Sequence, residues 1–274
     1  MGADTVSLSG LEKDVYEKSI SEGVNNSFDL KEFFTLTEAD YNGGAGQVWS
    51  HHHGRNSSPF WANEDGAYAV AGNQTHSKGR IGIKKIMGRI RMTEEAMDDL
   101  VSSEASFRNG MTDEKTRLID DLARRENHSL GMDGRGVLAL VNGAPSTTTP
   151  AVDTPGNVPG TLGNRFMDIG MFIGAVDPAS NQLRTSIRKV TALAATGLTI
   201  TTDSATFTGW ADNDYIVHAA NASVTDIVDT SFEAAAWGLP ALVDDGTNRD
   251  NYFGILRSSV ESLKSYVIAS VGAM

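Results

Sequence analysis

The chain has 274 residues, 40% hydrophobic and 21% charged, with a net charge of −12 and no cysteine. That length can bury a sizeable core, and the missing cysteines exclude disulfides, thiolate metal sites and thiol nucleophiles together, as suits a reducing cytoplasm. So acidic a chain is poorly suited to gripping nucleic acid through phosphates, though it could enclose it, and no apolar run is long enough to cross a membrane.

Residues 1–46 read as an N-terminal arm. Leu8, Leu11, Val15 and Tyr16 sketch a short amphipathic helix, and Phe28, Leu30, Phe33, Phe34 and Leu36 form an apolar cluster before the glycines at 43–46. Residues 47–92 read as an extended two-stranded loop. Gln47 to His53 is strand-like. On the far side Ile81 and Ile83 alternate, and Ile86, Gly88, Ile90 and Met92 alternate in the opposite phase, which places a β-bulge at Lys84-Lys85. The interval between is long and polar, with Pro59, Phe60, Trp61, Tyr68 and Val70 as its large apolar groups. Such an interval is uncommon inside a compact domain. The arm cannot build its own core, so Pro59, Phe60, Trp61 and Tyr68, with Lys78, are expected to contact another subunit.

Residues 93–160 carry the longest helical pattern. Met97, Leu100, Val101, Phe107, Met111, Leu118, Ile119 and Leu122 fall within an arc of roughly 120°. Ser102-Ser103 and Gly110 weaken it, so the expectation is a short helix, a break near Ser102, and then a long helix. Arg124 and Arg125 sit near its end, and the glycines at 131, 134 and 136 stop it. Glu104, Arg108 and Lys115 interrupt the apolar arc. Glu104 and Arg108 have the spacing of a local ion pair, and a charged contact with another subunit is the alternative.

Val137 to Val141 is a short apolar run, followed by a Pro/Thr/Gly-rich linker over 145–159. Residues 161–222 read as a small β-rich module. Its strands are expected at Phe166–Ile173, Ser186–Leu193, Leu198–Thr201 and Tyr215–Ala219, with turns at Asp177-Pro178, Thr196-Gly197 and Asp212-Asn213. In 223–274, Asp226–Trp237 reads as helix and Leu239–Val243 as strand. A last helix carries Val260, Leu263, Val267, Ile268 and Val271 on one side.

Chemistry-bearing motifs are few. His51 and His53 share a strand face but lack the three or four converging ligands that a metal site needs. Gly134-Arg135-Gly136-Val137-Leu138-Ala139 resembles a dinucleotide fingerprint by letter, yet it follows a helix where the mechanism needs a strand. The carboxylate pairs at 98–99, 120–121 and 244–245 read as solvated faces or turns. No catalytic residue, cofactor site or metal site is assigned, and the chain reads as a structural protein without enzymatic activity.

Three segments together resemble the major capsid proteins of tailed bacteriophages. They are Gln47-Val-Trp-Ser-His-His-His-Gly-Arg-Asn-Ser with the later Ala71-Gly-Asn-Gln, Gly88-Arg-Ile-Arg-Met-Thr-Glu-Glu-Ala-Met, and the long stretch from Leu118 to Ala139. The likeness covers most of 11–143. It implies an α+β chain of the Hong Kong 97 type: N-arm, extended β-hairpin loop, peripheral domain with a spine helix, inserted small β module and partial axial domain. Met97, Leu100, Phe107, Met111, Leu118 and Leu122 would line the spine-helix core. The partners implied are further copies in hexamers and pentamers of a virion shell enclosing double-stranded DNA, with scaffolding, portal and decoration proteins. Members usually continue with further axial helices, so the apolar face of the last helix is expected to be covered by more chain or by a neighbour. An encapsulin-type compartment shell and a β-rich tail or adhesin protein are the alternatives.

Overall fold

The computed structural model describes residues 46–90 and 104–266, with side chains from 46–90 and 114–266. The chain is mixed α+β, with antiparallel sheets and few helices. The expectations for the N-terminal arm, for Met97, Leu100 and Val101, and for Val267, Ile268 and Val271 lie outside the described residues.

An antiparallel hairpin opens the described chain. Strand β1 (Gln47–Gly54) pairs with β2 (Thr75–Ile81), from Gln47 opposite Ile81 to Gly54 opposite Thr75. The irregularity in this ladder lies between His52 and Gly54, not at Lys84-Lys85. β1 begins opposite Ile81, so residues 82–90 have no partner strand among the described residues. They run without regular secondary structure, and their alternation of apolar residues does not become a strand.

Helix α1 is described over Glu104–Leu130, and the break expected near Ser102 lies outside the described residues. It ends at Leu130, and Gly134 and Gly136 beyond it take positive φ of 79° and 76°. A side chain at Gly136 would meet the carbonyl oxygen of Ser231, so both the turn and the close approach demand glycine there.

The core lies in one six-stranded antiparallel sheet, ordered β4-β3-β8-β5-β6-β7. Its strands are β3 (Val137–Val141), β4 (Val152–Asp153), β5 (Phe172–Val176), β6 (Arg188–Leu193), β7 (Ile200–Thr202) and β8 (Tyr215–His218). The two edges of the sheet are themselves joined. Val152 N–H donates to the Leu198 carbonyl (2.8 Å), Ile200 N–H to Pro150 (3.2 Å) and Thr202 N–H to Thr148 (2.8 Å). The sheet thus closes into a small barrel, which removes its free edges. Ala139, Ile216 and Ala175 stand opposite one another across β3, β8 and β5, and all are buried. Phe166, Met171, Phe207 and Trp210 complete that cluster. On the other face Val137, Val176 and Val217 are covered by Leu183, Ile227 and Phe232. Cover on both faces explains the uninterrupted apolar run of β3.

Several expectations are corrected here. The stretch over 145–159 is no linker, because it supplies β4 and the residues that close the barrel. The boundary at 160/161 falls inside this sheet, with β3 and β4 on one side and β5 to β8 on the other. Phe166–Ile173 is not a strand; a 3-10 turn occupies Gly163–Phe166 and β5 starts at Phe172. Asp226–Trp237 forms only one 3-10 turn, Ile227–Asp229, capped by the Asp226 carboxylate on Val228 N–H at 3.1 Å. Beyond it, the Ser231 hydroxyl accepts from His218 N–H and donates to Gly136 O, so this segment is tied to β8 and to the start of β3 and does not continue a helix.

The C-terminal lobe is irregular. Leu239–Leu242 is one helical turn (α2) rather than a strand, with Pro240 near its start, where a missing N–H costs nothing. Short strands β9 (Asn251–Tyr252) and β10 (Ile255–Leu256) form a tight hairpin. The expected helix through Val260 and Leu263 is replaced by 3-10 turns at Arg257–Ser259 and Glu261–Leu263. Val260 is nevertheless buried.

Candidate functional site

Alternation along the hairpin divides it into two faces. Trp49, His51 and His53 point one way, and Gly79 lies opposite Trp49 because the indole ring covers it and leaves no room for a side chain. This face seats on the C-terminal lobe. Trp49 meets Tyr252 edge-on at 6.0 Å, His51 Nε2 lies 2.8 Å from the Ser262 hydroxyl, and Arg80 N–H donates to the Phe253 carbonyl at 2.7 Å. Lys84 Nζ donates to the Glu233 carbonyl farther along. A cleft of about 300 Å³ lies between the two parts, lined by His53, Ser77, Lys78, Ile255, Leu256 and Val260 among others.

The tip is free of such support. Trp61 and Tyr68 are 102% and 97% exposed, Phe60 is 53% exposed, and Pro59 is exposed beside them. Local order at the tip comes from an Asn56 side chain accepting from Ser58 N–H (2.9 Å) and a turn from Gly66 N–H to Asn63 O (2.9 Å). The four residues named from sequence thus share one projecting tip. Lys78 does not belong to it; it is exposed on β2, at the rim of the cleft.

Helix α1 runs beside the arm's return segment. Gly88 abuts the Leu118 side chain, and Leu118 and Leu122 are half-buried, while Ile119 is 55% exposed and leaves the expected apolar arc. Lys115 is exposed. The side chains of Glu104, Phe107, Arg108 and Met111 lie outside the described residues, although their backbone is helical. At the helix end, burial and the nearby Arg124 and Arg125 push the His128 imidazole down to about 4. His128 packs edge-on against Phe166 at 5.3 Å.

Beneath the arm lies an assembly that the sequence reading missed. Trp237 stacks on Phe253 (4.1 Å between ring centres), and the Arg249 guanidinium lies 4.2 Å over the Trp237 ring. Arg249 pairs with Glu233 at 2.8 Å, and Arg135 reaches Asp133, Glu233 and the Tyr215 hydroxyl. Burial raises the Asp133 carboxyl despite hydrogen bonds from Asn157 and Arg135 N–H. Arg257 is fully buried and donates to the carbonyls of Leu263, Arg249, Ala241 and Leu242 at 2.7–3.1 Å, with Asp244 at 3.9 Å. The sequence signal was the aromatic set Trp237, Tyr252 and Phe253 with Arg249 and Arg257 nearby in the chain. No protein-family model matches the chain, and neither a curated protein nor a solved structure does.

His51 and His53 stack at 6.3 Å on the seated face, and His52 meets His76 at 4.9 Å on the other. Among the described residues no group of three or more potential ligands converges on a metal position. Among them, too, no helix is long and apolar enough to cross a membrane.

Proposed function

We propose that this chain is a shell subunit, the major capsid protein of a tailed double-stranded DNA bacteriophage, with a Hong Kong 97-type arrangement. On this reading the β1–β2 hairpin is the extended loop, α1 the spine helix, and the virion its destination. The observation that carries the reading is the arm: its base is seated on its own lobe while Trp61 and Tyr68 at its tip are fully exposed. A fully exposed Trp61 contributes nothing to the subunit's own stability. Buried against a neighbour, each large apolar side chain of the tip would contribute about 1.5–3 kcal/mol, and aromatic anchors carry a large share of interface energy. The half-buried Leu118 and Leu122 offer a second strip for a neighbour to cover.

The test removes the tip and keeps the ladder. Deleting residues 57–73 and closing β1 to β2 with a short turn should leave the thermal unfolding of the subunit nearly unchanged and abolish shells in negative-stain images. Trp61→Ala should weaken assembly, read by light scattering, more than it lowers the unfolding temperature. Normal shells from the deletion variant would overturn the reading. Shell contents then separate a capsid, holding double-stranded DNA, from an encapsulin-type compartment holding protein.

A further inference from the structure

The solvent face of the hairpin carries a row of bases. Val48, Ser50 and His52 on β1 stand opposite Arg80, Lys78 and His76 on β2, and all six are exposed. Neither Lys78 nor Arg80 has a side-chain ion pair among the described residues. Successive residues on this face lie roughly 7 Å apart, within a Debye length at physiological salt, so the row repels itself. The surroundings sharpen the contrast. Residues 46–90 hold six Lys and Arg against two Asp and Glu, whereas residues 104–266 hold thirteen against twenty. The arm is basic on an acidic molecule. On the body, Asp120, Asp121, Asp212, Asp226 and Asp229 are exposed.

We infer that this basic face is an electrostatic docking surface for the acidic body of a second copy of the chain. The inference rests on the shell-subunit reading and goes beyond its apolar tip: Lys78 and Arg80 steer the arm and set its register, and the aromatic tip anchors it. A second copy is the favoured partner because every copy supplies both the basic arm and the acidic body, so contacts propagate without an outside component. A nucleic acid brings only negative charge to a chain that already carries −12.

The experiment compares full-length wild type with Lys78→Glu/Arg80→Glu and with Trp61→Ala, measuring assembly by light scattering as ionic strength rises from about 0.05 to 0.5 M. Thermal unfolding of each variant checks that the exposed replacements leave the fold intact. Wild-type assembly should weaken with salt. The charge-reversal variant should need at least about tenfold more protein to assemble at low salt, and lose its salt dependence, because like charges now face each other. Trp61→Ala should weaken assembly yet keep the wild-type salt dependence. If wild type assembles and the charge-reversal variant matches it, the electrostatic inference falls and the shell reading stands. If wild type stays monomeric throughout, both fall. Fluorescence anisotropy with a double-stranded oligonucleotide completes the set: binding that the charge reversal abolishes, with assembly unchanged, would reassign the face to nucleic acid and overturn the inference.

Discussion

Arg257 shows how much one side chain can organise. It has no exposed surface, and its guanidinium gathers four backbone carbonyls from three segments of the C-terminal lobe, with Asp244 beside it. Those carbonyls come from the last residues of the α2 turn, from a 3-10 turn and from irregular chain, and no helix ladder satisfies them. Arg257→Met keeps the volume and removes every donor, leaving buried carbonyl acceptors unsatisfied and Asp244 without its cation, held only by the Gly246 and Arg249 N–H groups. The expected cost is about 3–5 kcal/mol, measured by chemical denaturation; a loss below about 1 kcal/mol would show that water replaces the guanidinium. His128 makes a second residue-scale case. In the folded chain its imidazole stays neutral down to about 4, whereas the unfolded chain takes up the proton near the ordinary 6.5. The unfolded state therefore binds more protons between those values. Stability is full above 6.5 and declines as pH falls toward about 4. His128→Phe should flatten that part of the curve, seen as a smaller drop in denaturation midpoint between about pH 7.5 and pH 5.

At the scale of elements, α1 is long and only partly covered. Leu118 packs against the segment at Gly88 yet stays half-exposed, as does Leu122. Leu118→Ala should therefore cost the free subunit about 1–2 kcal/mol, short of the 2–5 kcal/mol of a fully buried leucine. A neighbour covering this strip in an assembled particle would raise the cost. Unfolding measured on free and assembled protein checks both values, and equal costs would mean that nothing covers Leu118. The turn after α1 is stricter. Gly136 combines a positive φ with the Ser231 carbonyl where a side chain would stand. Gly136→Ala should destabilise by at least about 1–3 kcal/mol from backbone strain alone, read by the same denaturation.

The whole molecule turns on the barrel. Strand β8 is hydrogen-bonded to β3 on one side and β5 on the other, and residues 148–152 bridge to β7. A β module confined to 161–222 would lack β3, β4 and the closing pairs, and would expose Ile216 and Val217, which are fully buried in the chain. The isolated 161–222 fragment should therefore show no cooperative thermal transition by circular dichroism, whereas 131–266 should retain one. A folded 161–222 fragment would mean that closure is dispensable and would restore the boundary at 160/161.

What the sequence determined by itself is what neighbouring residues settle among themselves. The strand-like run from Gln47 marked the arm's first strand, whereas its return strand Thr75–Ile81 falls mostly within the stretch read as polar interval, and the apolar arc with its glycine stop marked α1. Turn chemistry at 177–178, 196–197 and 212–213 marked most of β5 to β8. Each is a local signal, complete within about ten residues. The tertiary structure decided whatever depends on partners far along the chain. Residues 82–90 alternate like a strand and find no strand to pair with. Leu239–Val243 is apolar enough for a strand, and Pro240 with the lobe's packing makes it a helical turn. Residues 148–152 look like linker until β7, some 50 residues on, supplies their hydrogen bonds. Backbone groups must be paired wherever they are buried, and the choice of partner is made by closure of the whole sheet, which no local pattern encodes.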